Sequence, residues 1–166
     1  MSEEWQAVVW CLGVGVSATL FMDGVAWLRA HLLGLGGLDW ALVGRWLGHL
    51  VRGQLVLPSP QTARPVPFER ALGWSFHYAV GVGLAALLWW LLPGEGLDQP
   101  ALLLSVGFGL ATVLLPMLTL QPGLGMGLAA RKAPQPWLAR RRSLQTHFTF
   151  GVGLYFGAEL VAQLLG

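Results

Sequence analysis

The chain has 166 residues, 55% of them hydrophobic and only 11% charged, with a mean hydropathy of +0.60 and a formal net charge of +2. That balance excludes an ordinary soluble domain, in which about a quarter of positions carry charge, and predicts an all-α membrane protein. The basic residues flank apolar stretches, so lipid rather than nucleic acid is the expected partner.

A membrane-crossing helix needs about 20 mostly apolar residues. Four stretches meet this, at about 8–28, 71–92, 101–120 and 143–165. The first follows the acidic start Met1-Ser2-Glu3-Glu4, where a cleavable signal carries basic residues, so it is expected to stay in the mature chain. Within it Asp23, Thr19 and Gly15 recur at four-residue intervals and share one side. Cys11, the only cysteine, also lies there, which excludes an intrachain disulfide and a thiolate metal cluster.

Residues 39–52 have helical periodicity, with Trp40, Val43, Leu47 and Leu50 on one side and Arg45, Gly48, His49 and Arg52 on the other. They predict an amphipathic helix in the inner membrane interface, its Trp side in the acyl boundary. Pro58, Pro60, Pro65 and Pro67 then predict an extended linker. The second span places His77 on a stripe with Gly81. The third ends at Gln121-Pro122-Gly123, and Gly125 and Gly127 keep residues 124–130 permissive, as a surface loop or as a segment dipping back into the bundle. The fourth span aligns His147 with Gly151 and carries Glu159 in its outer half.

All ten Lys and Arg residues fall in two of the five segments outside the spans. Arg29, Arg45, Arg52, Arg64 and Arg70 lie between the first and second spans; Arg131, Lys132, Arg140, Arg141 and Arg142 lie between the third and fourth. Cationic flanks resist export, so both segments are expected in the cytoplasm and both termini outside, in a bacterial inner membrane. Arg70, Arg140, Arg141 and Arg142 would fix topology and meet anionic lipid. Trp5 and Trp10, Trp27, Trp74, Trp89 with Trp90, and Trp137 mark span ends, as interfacial indoles do.

The segment Pro65-Val66-Pro67-Phe68-Glu69-Arg70, followed by His77-Tyr78-Ala79-Val80-Gly81-Val82-Gly83-Leu84, recurs with one insertion. Its partner is Pro134-Gln135-Pro136-Trp137-Leu138-Ala139-Arg140, followed by His147-Phe148-Thr149-Phe150-Gly151-Val152-Gly153-Leu154. Gly13-Val14-Gly15 with Ala18-Thr19 is echoed by Gly107-Phe108-Gly109 with Ala111-Thr112. These matches predict two tandem helical hairpins in the same orientation, a parallel internal repeat. The G-x-G pair in every span is read as helix packing, because no strand precedes it and it lacks a nucleotide fingerprint.

Ala41-Leu42-Val43-Gly44-Arg45-Trp46-Leu47-Gly48-His49, Glu69-Arg70-Ala71-Leu72-Gly73-Trp74 with His77-Tyr78, Gln121-Pro122-Gly123 with Gly125 and Gly127, and Ser143-Leu144 with His147 and Gly151 together resemble a family of small bacterial inner-membrane proteins, domain of unknown function 2938. The resemblance covers nearly the whole chain and implies location and architecture without a catalytic role. Ala133-Pro134 stands where the family would have Thr-Pro, which argues against an essential hydroxyl there.

Ionisable groups inside a membrane are expensive enough to be read as functional. Asp23, His77 and His147 fall at one depth by residue counting from Arg29, Arg70 and Arg140. With Glu159 they predict a polar centre and a proton or substrate path, with Arg45, His49 and Gln121 at its cytoplasmic mouth. Three functions are open: a small proton-linked carrier or channel, a non-catalytic scaffold or accessory subunit, and a divalent-metal protein ligated by Asp23, His77 and His147. Serines and threonines in the spans lack a nucleophile motif, so no enzyme activity and no cofactor are expected. Four spans enclose little volume, and transport would need a homodimer.

Overall fold

The computed structural model describes residues 2–92 and 101–165, so the connection between the second and third predicted spans lies outside the described residues. In chain order the helices are α1 (Glu3–Leu33), α2 (Trp40–Leu50), α3 (Glu69–Leu91), α4 (Leu102–Ala111), α5 (Leu114–Leu118), α6 (Leu120–Gly123) and α7 (Pro136–Leu165), with a 3-10 turn at Leu128–Ala130. Among the described residues there is no strand.

The chain divides into two compact units. The first comprises Met1–Gly37, Tyr78–Ala111 and Thr146–Gly166, and the second Leu38–His77 and Thr112–Gln145.

In the first unit Trp10, Val14, Ala18 and Met22 recur every four residues on α1 and are buried with Leu84, Ala85 and Leu88 of α3 and Phe150, Leu154, Ala158 and Val161 of α7. The helices approach through small residues, as membrane helices must when lipid gives no hydrophobic drive to associate. A Cβ on Gly15 would stand 2.5 Å from the Cα of Val82, and one on Gly109 would stand 2.5 Å from the Cα of Gly151. The rest of α1 is apolar as well: Leu12, Leu20 and Leu28 are exposed, a distribution suited to apolar surroundings. At 31 residues α1 reaches about 46 Å, beyond the predicted 8–28 at both ends. It stops at Gly34, whose φ of 64° lets its N–H bond the carbonyl of Ala30.

Among the described residues three stretches are long and apolar enough to cross a membrane, Glu4–Leu33, Glu69–Leu91 and Leu102–Gly123. The fourth predicted span lies in α7, which has length to spare at 30 residues, but His147, Glu159 and Gln163 interrupt its apolar run and it falls short of the other three.

The third span departs from the expected continuous helix. Pro116 has no N–H for the carbonyl of Thr112 and its ring crowds that carbonyl, so the helix opens after Ala111. Leu115 N bonds the Thr112 oxygen instead, one residue early, at 3.0 Å. A second interruption follows at Thr119, with φ −121° and ψ −68°.

In the second unit the Asp39 carboxylate caps α2 by accepting from Ala41 N at 2.9 Å. The Trp side of α2 meets protein, contrary to the expectation that it enters lipid. Trp46 is only 8% exposed and is buried with Val43, Leu57 and Leu124. The proline-rich linker is likewise packed, through Leu57 and Val66. Residues 124–130 bury Leu124 and Ala130, with Gly125 and Gly127 at φ of 76° and 70°.

Candidate functional site

The geometry of the second unit begins where α2 crosses α3. A Cβ on Gly44 would fall on the carbonyl of Glu69, and a Cβ on Gly73 on the carbonyl of Trp40. Backbone contact this close brings the next residue of α2 onto the first turn of α3. Arg45 Nε and Nη2 donate to the two Glu69 carboxylate oxygens at 2.8 and 2.7 Å, a fork-to-fork pair. The hydrogen bond to Glu69 pushes the Arg45 guanidinium up from its ordinary value, so this cation stays charged.

The remaining Arg45 donor, Nη1, serves the carbonyls of Pro60, Gln61 and Ala63 at 2.9, 3.3 and 3.3 Å. One turn on, His49 Nδ1 lies 2.7 Å from Gln54 Oε1 and Nε2 lies 2.9 Å from the Arg64 carbonyl oxygen. Trp46 Nε1 donates to Leu55 O at 3.0 Å, and Leu57 N donates to Gly123 O at 2.7 Å. Arg45 and His49, expected at an open mouth, thus fasten the linker along α2.

Gln121 differs from them. It is 6% exposed, its Nε2 donates to Ser143 Oγ at 2.9 Å, and its Oε1 is buried with no hydrogen-bond partner. A buried amide oxygen left unmade is costly, which marks this carboxamide as a candidate contact for a donor-bearing molecule. His77 is buried in the same unit, its ring stacked on Trp40 with centroids 4.0 Å apart and set edge-on to Trp74 at 5.6 Å. Trp74, expected as an interfacial anchor, is a neighbour of this imidazole.

Asp23, His147 and Glu159 belong to the first unit. The Asp23 carboxylate accepts from Tyr78 OH at 3.1 Å, and Thr19 Oγ1 returns its hydrogen to Gly15 O at 2.8 Å. The His147 carbonyl lies against Gly109 at the crossing of α4 with α7, and Glu159 is half-buried further along α7. Among the described residues no group of three His, Cys, Asp or Glu side chains is placed to hold a metal ion, so the zinc alternative with Asp23, His77 and His147 is not carried further.

Sequence reasoning missed Glu69, Tyr78 and Ser143 as partners. Glu69 was readable as a motif residue beside Arg70, but nothing in its spacing linked it to Arg45, 24 positions earlier. Of the predicted lipid-facing cations, Arg70 and Arg141 are exposed, while Arg140 Nε donates to Ala129 O at 2.8 Å and Arg142 is half-buried.

Described residues that are helical without strands, with three stretches among them fit to cross a membrane, have the features of a helical membrane protein. The chain belongs to the family described as protein of unknown function (DUF2938), which it matches over residues 12–161. No curated protein and no solved structure matches it.

Proposed function

We propose that this is a four-span inner-membrane protein, both termini outside, that acts as a small proton-linked carrier or channel. The observation that carries the reading is the third span, which is interrupted at Thr112–Val113, midway along Leu102–Gly123, and again at Thr119. At the first break the backbone stays near helical, Val113 at φ −59° and ψ −24° with Leu115 N on Thr112 O, and at the second Thr119 leaves the helical region; backbone of that second kind is tolerated at membrane depth where it is enclosed by protein or lines a wet cavity. Discontinuous spans form the substrate and ion sites of many transporters, and this is the support the third span lends.

Two further features support the reading. Asp23, His147 and Glu159 add ionisable groups to helices that are otherwise apolar, and α7 with its 30 residues is long enough to be the fourth span. Two glycine contacts are in keeping with a repeat. Gly15 meets Gly81 where α1 crosses α3, and Gly109 meets Gly151 where α4 crosses α7; in the sequence repeat Gly15 corresponds to Gly109 and Gly81 to Gly151. A parallel duplication fits the architecture of some carriers, and a homodimer would supply the enclosed volume.

A second reading, a non-catalytic scaffold or accessory subunit, is favoured by the internal bonding of Arg45, His49 and Glu69, which leaves those groups to hold the linker. Proteoliposomes separate the two. An imposed pH gradient should decay faster with the full chain than in protein-free vesicles, and Asp23→Asn or His147→Ala should slow it. Identical decay with and without protein at every pH tried would leave the scaffold standing.

A further inference from the structure

The second unit holds nine of the ten Lys and Arg residues and only two of the eight Asp and Glu residues. Both acids are occupied: Asp39 caps α2 and Glu69 is paired with Arg45. Arg52, Arg64, Arg70, Arg131, Lys132 and Arg141 are exposed. Nine cations against two carboxylates, one of them paired with Arg45, leave this unit strongly cationic.

Exposed apolar side chains lie among these cations. Phe68 is 86% exposed and Trp137 is 72% exposed; Val51 and Leu55 of the linker are exposed too. Phe68 and Trp137 occupy the same place in the duplicated motif, directly after Pro67 and Pro136, at the starts of α3 and α7. Phe68 also sits in the left-handed region, φ 57°, which disfavours a bulky side chain. That backbone turn lets the Glu69 carboxylate reach back to Val66 N at 3.2 Å while the ring points outward.

We propose that this surface binds the headgroups of anionic phospholipid, with Phe68 and Trp137 in the acyl boundary and Arg70 and Arg141 on lipid phosphates. Cations alone would suit any polyanion. Large aromatic rings interleaved with them, Phe68 directly before a helix apolar enough to cross a bilayer and Trp137 in the first turn of α7, favour a membrane over nucleic acid. The proposal does not depend on transport.

The test uses the purified full chain in nanodiscs of phosphatidylcholine doped with phosphatidylglycerol, with retained lipid counted by native mass spectrometry after detergent release. The wild type should keep phosphatidylglycerol over phosphatidylcholine, and Arg70→Gln with Arg141→Gln should cut that preference roughly thirtyfold, as expected for two surface guanidinium groups. Phe68→Gly removes the ring and relieves the left-handed backbone, so it should lower phosphatidylglycerol retention while thermal stability in neutral detergent holds or rises. Equal retention of both lipids by the wild type would overturn the proposal, as would an unchanged preference in the folded double-Gln variant. Displacement of the lipid by millimolar inorganic phosphate, or tighter binding of an RNA oligonucleotide than of phosphatidylglycerol, would assign the surface to another anion and equally overturn it.

Discussion

Gly44 and Gly73 stand at reciprocal positions across the α2–α3 crossing, each facing a backbone carbonyl of the other helix. Neither can accept a Cβ without moving a main chain. Gly44→Ala and Gly73→Ala should each destabilise the protein by about 1–3 kcal/mol, the range for overpacking with a backbone shift. Gly83 provides the control, being exposed with nothing within 4 Å of its missing Cβ. Gly83→Ala should be neutral or stabilising by up to about 1 kcal/mol. Thermal unfolding in detergent decides, and equal losses at Gly44 and Gly83 would contradict the packing.

Breaking the Arg45–Glu69 fork should loosen the linker rather than the spans. Arg45→Lys keeps the charge but can reproduce neither the bidentate pair nor the reach to the Pro60 carbonyl. A loss of about 1–3 kcal/mol is expected for a partly buried charged hydrogen bond. Hydrogen exchange should quicken first between Gln54 and Val66, with α1 unchanged. Uniform acceleration across the chain would mean that the pair holds more than this linker.

The hydrophobic skeleton of this fold was legible before any coordinates, because lipid-spanning length and apolar content leave few alternatives. Helices α1 and α3 lie where the apolar runs placed them, and the G-x-G pairs do mark crossings, though only one residue of some pairs does the packing: Gly81 and Gly109 are in contact, Gly83 and Gly107 face open space. Periodicity cannot give that phase, since both glycines of a pair look alike. Pro116 was visible and its effect was overlooked, because hydropathy averages over a kink. The orientation of α2 was misjudged for a different reason. An amphipathic pattern tells which residues share a side, and not whether protein or lipid covers it, so the Trp side of α2 is expected in the acyl boundary when Trp46 is in fact buried and donates to Leu55 O.

Asp23 and Tyr78 form a bond within the first unit that the second hairpin does not repeat, because Phe148 stands at the position equivalent to Tyr78. A double-mutant cycle with Asp23→Asn and Tyr78→Phe should give a coupling of about 0.5–1.5 kcal/mol, typical of polar contacts between membrane helices. Additive losses in thermal unfolding would show that Tyr78 does not hold the carboxylate.

Pro116 offers the sharpest separation of structural from functional roles. Its replacement by alanine restores the helical donor at position 116, so the Thr112 carbonyl can accept from it in place of Leu115 N and α4 and α5 can join across Thr112 and Val113. On helix propensity alone the change favours folding by up to about 3 kcal/mol. If the interruption serves a conduction path, Pro116→Ala should yield a protein equally or more resistant to heat whose decay of a pH gradient falls to that of empty vesicles. A stabilised variant with undiminished flux would show that the break is a packing detail, and a destabilised one would show that Leu114–Leu118 needs its present direction to bury the Thr119–Gly123 segment.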